Sequence, residues 1–257
     1  MLEAVDLSCG YSRDAVVNRA RFSMAPGEFH CLLGPNGSGK TAFFKTLAGL
    51  LKPLSGSIRA DGVNLLSAGP GERAELLAFV PQHHAPVFPF AVTDVVVMGR
   101  AGRRPGWAGP SSRDWDAVAE ALETTGMADF AQRPYSQLSG GERQMVMIAR
   151  AIAQGARYLI LDEPASGLDF ANQTRTLRLL GDLARSGRGI LMSSHHPEHA
   201  LRHASRVETL SRGVLTLLGS PAESLDGVLL EKIYGIPFRV VSVDGRAGPI
   251  PVCVPEA

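Results

Sequence analysis

"EFHCLLGPNGSGKTAFFKTLAGLL" occupies residues 28–51, and its reading decides the fold. The run "EFHCLLG" (28–34) is a short, nearly continuous apolar stretch of the kind that forms a buried strand. "GPNGSGKT" (34–41) then matches G-x-x-x-x-G-K-[ST], and "TAFFKTLAGLL" continues as an apolar helix. In this layout the loop Gly34, Pro35, Asn36, Gly37, Ser38 and Gly39 would bind nucleotide, its glycines letting backbone N–H groups turn inward around phosphate oxygens. The helix N-terminus adds donors and a favourable dipole. Lys40 can reach the β- and γ-phosphates of a nucleotide, and the Thr41 hydroxyl can sit on Mg²⁺. The competing reading is a glycine-rich turn that binds nothing, and the flanking strand and helix argue against it.

Two more buried strands have the same form. "ARYLILDEP" (156–164) and "GRGILMSSH" (187–195) are apolar runs followed by a turn and then a helical pattern. Repetition of this unit predicts an α/β fold with a parallel sheet covered on both faces, and ligands in such sheets bind at the carboxyl ends of the strands. "YLILDEP" ends in Asp162 and Glu163, two adjacent carboxylates at a strand tip. Asp162 would hold Mg²⁺ and Glu163 could polarise an attacking water. Alone the pair is a weak signal; together with the glycine loop it describes a nucleotide hydrolysis site.

Organisation follows from where the strand pattern stops. Between residues 86 and 154 it gives way to helical patterns at "TDVVVMG" (93–99), "SRDWDAVAEALETTG" (112–126) and "ERQMVMIARAIAQ" (142–154). The expected division is a nucleotide-binding α/β lobe (1–85 and 155–219), a helical subdomain (86–154) and a C-terminal appendage of short β-like runs (220–257).

Bulk properties exclude several classes. Lys plus Arg is 26 against Asp plus Glu 25, so no global field favours nucleic acid or an anionic membrane. The 3 cysteines, Cys9, Cys31 and Cys253, are far apart and lack metal-ligand spacing, which suits a reducing compartment. No apolar run reaches the roughly 18–20 residues of a membrane span, and "MLEAVDLSCGYS" is not a secretory signal. A cytoplasmic chain is expected, with any membrane role coming through a partner.

"YSQLSGGERQMVMIARAIAQ" (135–154) poses a question. Met145, Ile148, Ala149 and Ile152 have amphipathic helix spacing, and Ser139 with Glu142 has the spacing of a capping box. Yet Gly140 and Gly141 sit in the first turn, where each costs about 1 kcal/mol relative to alanine. One answer is that something approaches the backbone there.

"LSGGERQ" (138–144), about twenty residues before the "LDEP" strand, resembles the signature of the ATP-binding subunits of ABC transporters. The resemblance extends over nearly the whole chain. It implies a P-loop NTPase fold with a RecA-like parallel-sheet lobe, an N-terminal antiparallel β portion and a helical subdomain. By the same resemblance Gln82 in "FVPQ" is similar to the Q-loop glutamine, linking metal to the helical subdomain. Asp169 in "SGLD" is similar to the D-loop acid, and His195 in "LMSSHHPEHA" occupies the switch-histidine position. Tyr11 in "LSCGYS" resembles the aromatic that stacks on adenine.

The resemblance further implies a homodimer that sandwiches two ATP molecules, with Ser139, Gly140 and Gly141 of one copy facing the γ-phosphate held by the other. Its partners would be integral membrane permease subunits and, through them, a substrate-binding protein; no nucleic acid is expected. The place of work would be the cytoplasmic face of the cell membrane. "TDVVVMGR" (93–100), "LDFANQ" (168–173) and "EKIYGIPFRVV" (231–241) resemble importer subunits for iron chelates, haem, cobalamin or molybdate. An exporter subunit is the nearest alternative, and a soluble ABC ATPase of DNA repair or translation a more distant one. Two departures stand out: His196 where Asp is frequent, and Ala165 where a hydroxyl residue is frequent.

Two clusters invite further readings. His195, His196, His199 and His203 include i, i+4 pairs that could bind a metal on a helix. The plainer reading is a polar helix start beside a phosphate-sensing histidine. Arg100, Arg103, Arg104 and Trp107 mix basic and aromatic residues in "GRAGRRPGWAGPSS" (99–112), where a solvated loop is favoured over contact with nucleic acid or lipid.

Overall fold

A computed structural model describes residues 1–82, 89–103, 109–245 and 248–256. The chain opens with β1 (Leu2–Cys9), β2 (Val17–Met24), β3 (Phe29–Leu33), α1 (Lys40–Leu47), β4 (Ser55–Ala60), β5 (Val63–Asn64), α2 (Pro70–Leu76) and β6 (Leu77–Val80). A helical stretch follows: α3 (Val92–Val97), a 3-10 turn over Met98–Arg103, α4 (Ser112–Thr125) and α5 (Gly140–Gln154). The α/β pattern then resumes with β7 (Tyr158–Leu161), α6 (Phe170–Arg185), β8 (Gly189–Ser194), α7 (Pro197–His203), β9 (Arg206–Ser211) and β10 (Val214–Gly219). The C-terminal segment contains α8 (Pro221–Ser224), α9 (Gly227–Tyr234) and a hairpin of β11 (Phe238–Gly245) with β12 (Gly248–Pro255).

Among the described residues the main sheet has the order β10-β9-β3-β8-β7-β6. β6, β7, β8, β3 and β9 run parallel, and β10 pairs antiparallel with β9 at one edge. All five residues of β3 are buried, as are the four of β7 and the six of β8. This explains their mostly apolar character, broken by His30 in β3 and by Ser193 and Ser194 in β8, since both faces of a central parallel strand are covered. A second sheet, β2-β1-β4-β5, is antiparallel. It shares one core with α1, in which Phe22, Phe43, Phe44, Leu47 and Ile58 are nearly or wholly inaccessible. Each such side chain contributes about 1.5–3 kcal/mol of burial.

The larger core joins the other face of the main sheet to the helices. Met145, Ile148, Ala149 and Ile152 of α5 are all buried, so the amphipathic spacing faces inward as expected. The capping box is present too: Ser139 Oγ accepts the Glu142 N–H, and Glu142 Oε2 accepts the Ser139 N–H at 2.7 Å. No helix among the described residues is long and apolar enough to cross a membrane.

Two local expectations change. Arg100 is half-buried and tied to the end of α5 rather than solvated in a loop, and Arg103, exposed as expected, is hydrogen-bonded to the same helix end. Arg100 Nε donates to Asp114 Oδ1 at 2.8 Å and its Nη1 to the Ala153 carbonyl at 2.9 Å. Arg103 donates to the carbonyls of Gln154 at 2.8 Å and Gly155 at 3.0 Å. These are the orphan carbonyls that a helix C-terminus leaves, and cations there also complement the helix dipole. Arg104 and Trp107 lie outside the described residues. The C-terminal segment, read as short β-like runs, also contains α9, where Asp226 caps the start and Gly235 takes the left-handed conformation that ends it. Leu225 and Leu230 of this segment are buried in the larger core.

Candidate active site

The carboxyl ends of β3, β7 and β8 lie side by side because β8 pairs with both of its neighbours. Residues 34–41 leave β3 and lead into α1. A methyl group on Gly34 would lie 2.3 Å from the Leu210 carbonyl oxygen, and Gly39 has φ +104, so neither position accommodates another residue without strain. Lys40 is nearly buried, and its Nζ donates to the carbonyls of Gly34 at 2.8 Å and Pro35 at 3.1 Å. Burial lowers its pKa, while the nearby Glu163 and Asp162 carboxylates act in the opposite sense.

Asp162 and Glu163 follow directly on β7. Asp162 Oδ2 accepts the Thr41 hydroxyl at 2.6 Å, which brings together the two groups expected at a metal. Its Oδ1 accepts the Ser193 hydroxyl at 2.7 Å, and Ser193 Oγ in turn accepts the Glu163 N–H at 2.9 Å. Ser193 escaped the sequence reading. The signal was the pair of hydroxyl residues ending "LMSS", but only the Leu161–Met192 register puts the next residue of β8 beside Asp162.

Glu163 has φ +47, a left-handed backbone that costs a non-glycine residue about 1–2 kcal/mol. The Ser193 bond to its N–H helps hold that conformation. Strain of this kind clusters where side-chain direction matters, and here it directs the carboxylate at three partners. Gln82 Nε2 donates to Glu163 Oε2 at 3.0 Å, His195 Nδ1 lies 3.3 Å from the same oxygen, and Lys40 Nζ is 3.8 Å from Oε1.

These groups line one open cleft of about 480 Å³, together with Tyr11, Val16 and Ser166. Tyr11 is 64% exposed at its mouth, with Lys45 Nζ 5.6 Å from the ring centroid. Thr41 and Gln82 line the cleft and Asp162 lies buried behind Thr41, so a hydroxyl, an amide oxygen and a carboxylate are the oxygen donors at hand. That set fits a hard divalent cation such as Mg²⁺.

Ser139, Gly140, Gly141 and Asp169 are not in this cleft. Gly140 borders a neighbouring groove that shares Gln82 and Ser166 with it. Asp169 caps α6, its Oδ1 accepting the Asn172 N–H at 2.8 Å. Among the described residues no three His, Cys, Asp or Glu side chains form a metal-binding group, and His199 Nδ1 is engaged with Ser194 Oγ at 3.0 Å.

A parallel-sheet α/β lobe carrying this loop and these strand-end carboxylates defines a P-loop nucleotide-binding protein. Residues 17–166 match the family described as ABC transporter, and the chain belongs to that family. It is 44% identical over 234 residues to an ABC transporter ATP-binding protein of Haemophilus influenzae, covering 91% of this chain and 89% of that one. It is 37% identical to the hemin import ATP-binding protein HmuV of Mesorhizobium japonicum, covering 100% and 99%. With the iron(3+)-hydroxamate import ATP-binding protein FhuC of Bacillus subtilis the identity is 34%, covering 98% and 94%. Among solved structures, a metal-chelate type ABC transporter in an inward-facing conformation superposes with a TM-score of 0.89 at 28% identity, covering 100% of this chain and 97% of that one. ATP-binding proteins of this family bind ATP and hydrolyse it to power transport.

Proposed function

We propose that this chain is the ATP-hydrolysing subunit of an ABC importer whose cargo is a metal chelate or related compound, such as an iron-siderophore, haem, cobalamin or molybdate. The observation that carries the ATPase half is the convergence of Gln82, His195 and Lys40 on the Glu163 carboxylate, beside the Thr41–Asp162 pair. The import half is supported by relatives named for hemin and iron-hydroxamate import. Those names favour an importer over an exporter subunit or a soluble ABC ATPase.

In this reading the glycine loop and Lys40 bind the phosphates, and Tyr11 stacks on the adenine. Thr41, Asp162 and Gln82 would hold Mg²⁺, which when bound would supply charge neutralisation to the phosphates. Glu163 orients the attacking water and takes its proton; His195 contacts the γ-phosphate. Two copies assemble head to tail, so that Ser139, Gly140 and Gly141 of one complete the phosphate cage of the other, with Asp169 at the junction. The α/β lobe (1–85 and 155–219) carries nucleotide, the helical subdomain (86–154) carries the signature, and residues 220–257 form an appendage. The subunit works at the cytoplasmic face of the membrane with integral permease subunits, which a substrate-binding protein feeds, and without nucleic acid.

The test is purification of a tagged copy from gently solubilised native membranes. Recovery of a polytopic permease in near-equal amount, with Mg²⁺-dependent ATPase activity raised by a chelate-loaded binding protein, is expected. A permease that turns over without any binding protein would favour export, and recovery with ribosomes or DNA would overturn the transport reading.

A further inference from the structure

His195 lacks the usual anchor of a functional imidazole. Its Nδ1 sits 3.3 Å from Glu163 Oε2, yet among the described residues no hydrogen bond reaches that nitrogen. What its ring does meet is another ring. The centroids of His195 and His196 are 4.1 Å apart with the planes at 42°, and those of His196 and His199 are 5.0 Å apart at 51°. His199 Nδ1 lies 3.0 Å from Ser194 Oγ, and the same hydroxyl accepts the His196 N–H at 3.0 Å. Three imidazoles therefore form a row of mutually tilted rings in contact, rooted at the carboxyl end of β8. Burial pushes the pKa of His199 down to about 4, so the base of the row is a neutral ring at neutral pH.

His196 has no other evident task. It stands at the N-cap of α7, immediately before Pro197, and its side chain caps nothing. Ser, Thr, Asp or Asn at such a position caps a helix N–H with its side chain, which the histidine does not do here. Its side chain is exposed, so core packing does not require it. The local rule is broken in favour of a ring, and the ring's contacts are the two flanking histidines.

We propose that His196 is a positioning residue for ATP hydrolysis: its ring, packed between His199 and His195, holds the His195 imidazole beside Glu163. The proposal rests on the reading of His195 as the group that contacts the γ-phosphate. It assigns His196 no contact with nucleotide, so its effect falls on turnover and not on binding.

Steady-state ATPase assays on the purified full chain, with its permease where turnover requires it, test this. His195→Ala is expected to abolish turnover. His196→Ala is expected to lower kcat about fivefold at unchanged KM, the scale on which an aromatic pair biases one side-chain orientation. His196→Phe, which keeps a ring, is expected to return kcat toward the parental value. His196→Asp, a better helix cap, is expected to raise the thermal midpoint without restoring kcat. Because the side chain is exposed, none of these variants should fail to fold. The NMR signals of the His195 ring protons supply a readout independent of activity: they should shift in His196→Ala and stay near the parental position in His196→Phe. Parental kcat in His196→Ala, equal slowing by Ala and Phe, or unmoved His195 signals would each overturn the proposal while leaving the ATPase reading intact. Parental kcat in His195→Ala would instead sink the assignment of His195, and the proposal with it.

Discussion

A methyl group on Gly141 would lie 2.8 Å from Asn172 Nδ2, so α5 and α6 meet at a point where glycine alone fits without displacement. That Nδ2 donates to Asp169 Oδ2 at 2.9 Å, and Asp169 caps α6. Gly140, one residue earlier, faces open space. The two glycines that weaken the start of α5 thus have different reasons. Gly141 has a packing reason within the chain beside its proposed place at the phosphate, whereas Gly140 has the phosphate alone.

Alanine at the two positions separates these reasons. Gly141→Ala must push the Asn172 amide off Asp169, at a cost of about 1 kcal/mol for the lost hydrogen bond and crowding that offsets the helix-propensity gain of alanine. For a chain of this size each kcal/mol lowers the thermal midpoint by roughly 2–4 °C. Gly140→Ala should leave the midpoint unchanged or slightly higher, since alanine is the better helix former, while still lowering ATPase activity. Equal midpoint shifts in a thermal melt would contradict the packing account.

Glu163→Gln keeps the shape of the side chain and removes its basicity. ATP binding should persist, turnover should fall by about two to four orders of magnitude, and the ATP-bound pair of subunits should accumulate. Binding by fluorescent nucleotide, turnover by phosphate release and size by gel filtration read the three effects. Near-normal turnover would remove Glu163 from the water-activating role.

Ser139→Arg separates binding from assembly. Ser139 lies outside the cleft that holds Lys40 and Glu163, so the single chain should bind nucleotide normally. Arginine there puts a long side chain where two copies would close, and costs about 1 kcal/mol of helix capping. In a Glu163→Gln background the ATP-bound pair should no longer form. Loss of nucleotide binding by the single chain would mean that the start of α5 has another role.

Asp114 gives the fold an acid limit. Arg100 beside it, with the Ser111 N–H and hydroxyl, lowers its pKa from 3.8 to about 2. A carboxylate depressed in the folded state stabilises fully above its unfolded pKa and loses that contribution as pH falls through the folded value. Asp114→Asn should therefore cost roughly 2 kcal/mol at neutral pH, and the difference should close between pH 3.8 and about 2. Urea midpoints measured across that range check it; a difference that does not vary with pH would mean packing, not charge, is lost.

The features legible in the chain are those whose physics is local. The loop at 34–41, the carboxylates ending "YLILDEP" and the Ser139–Glu142 cap depend on residues within one turn or strand tip of each other, and each stands as expected. The anchoring of Arg100 is not legible in the chain because its acceptors are carbonyls at the far end of α5, 53 and 54 residues away. The α9 helix was hidden among β-branched and proline-rich neighbours.

By itself the sequence determined which groups this protein carries and what chemistry they suit: a phosphate loop, a carboxylate pair, a signature helix and the family they resemble. Tertiary structure alone decided which groups act together. Ser193 braces Asp162 and Glu163 only because β7 and β8 pair in one register, and Gln82 meets Glu163 across 81 residues of chain. It also parted Gly140 from Gly141 and packed His196 against His195. The reason is one of range: hydrogen bonds and ring contacts act over a few ångströms, and only the folded sheet brings groups so distant in the chain within that reach.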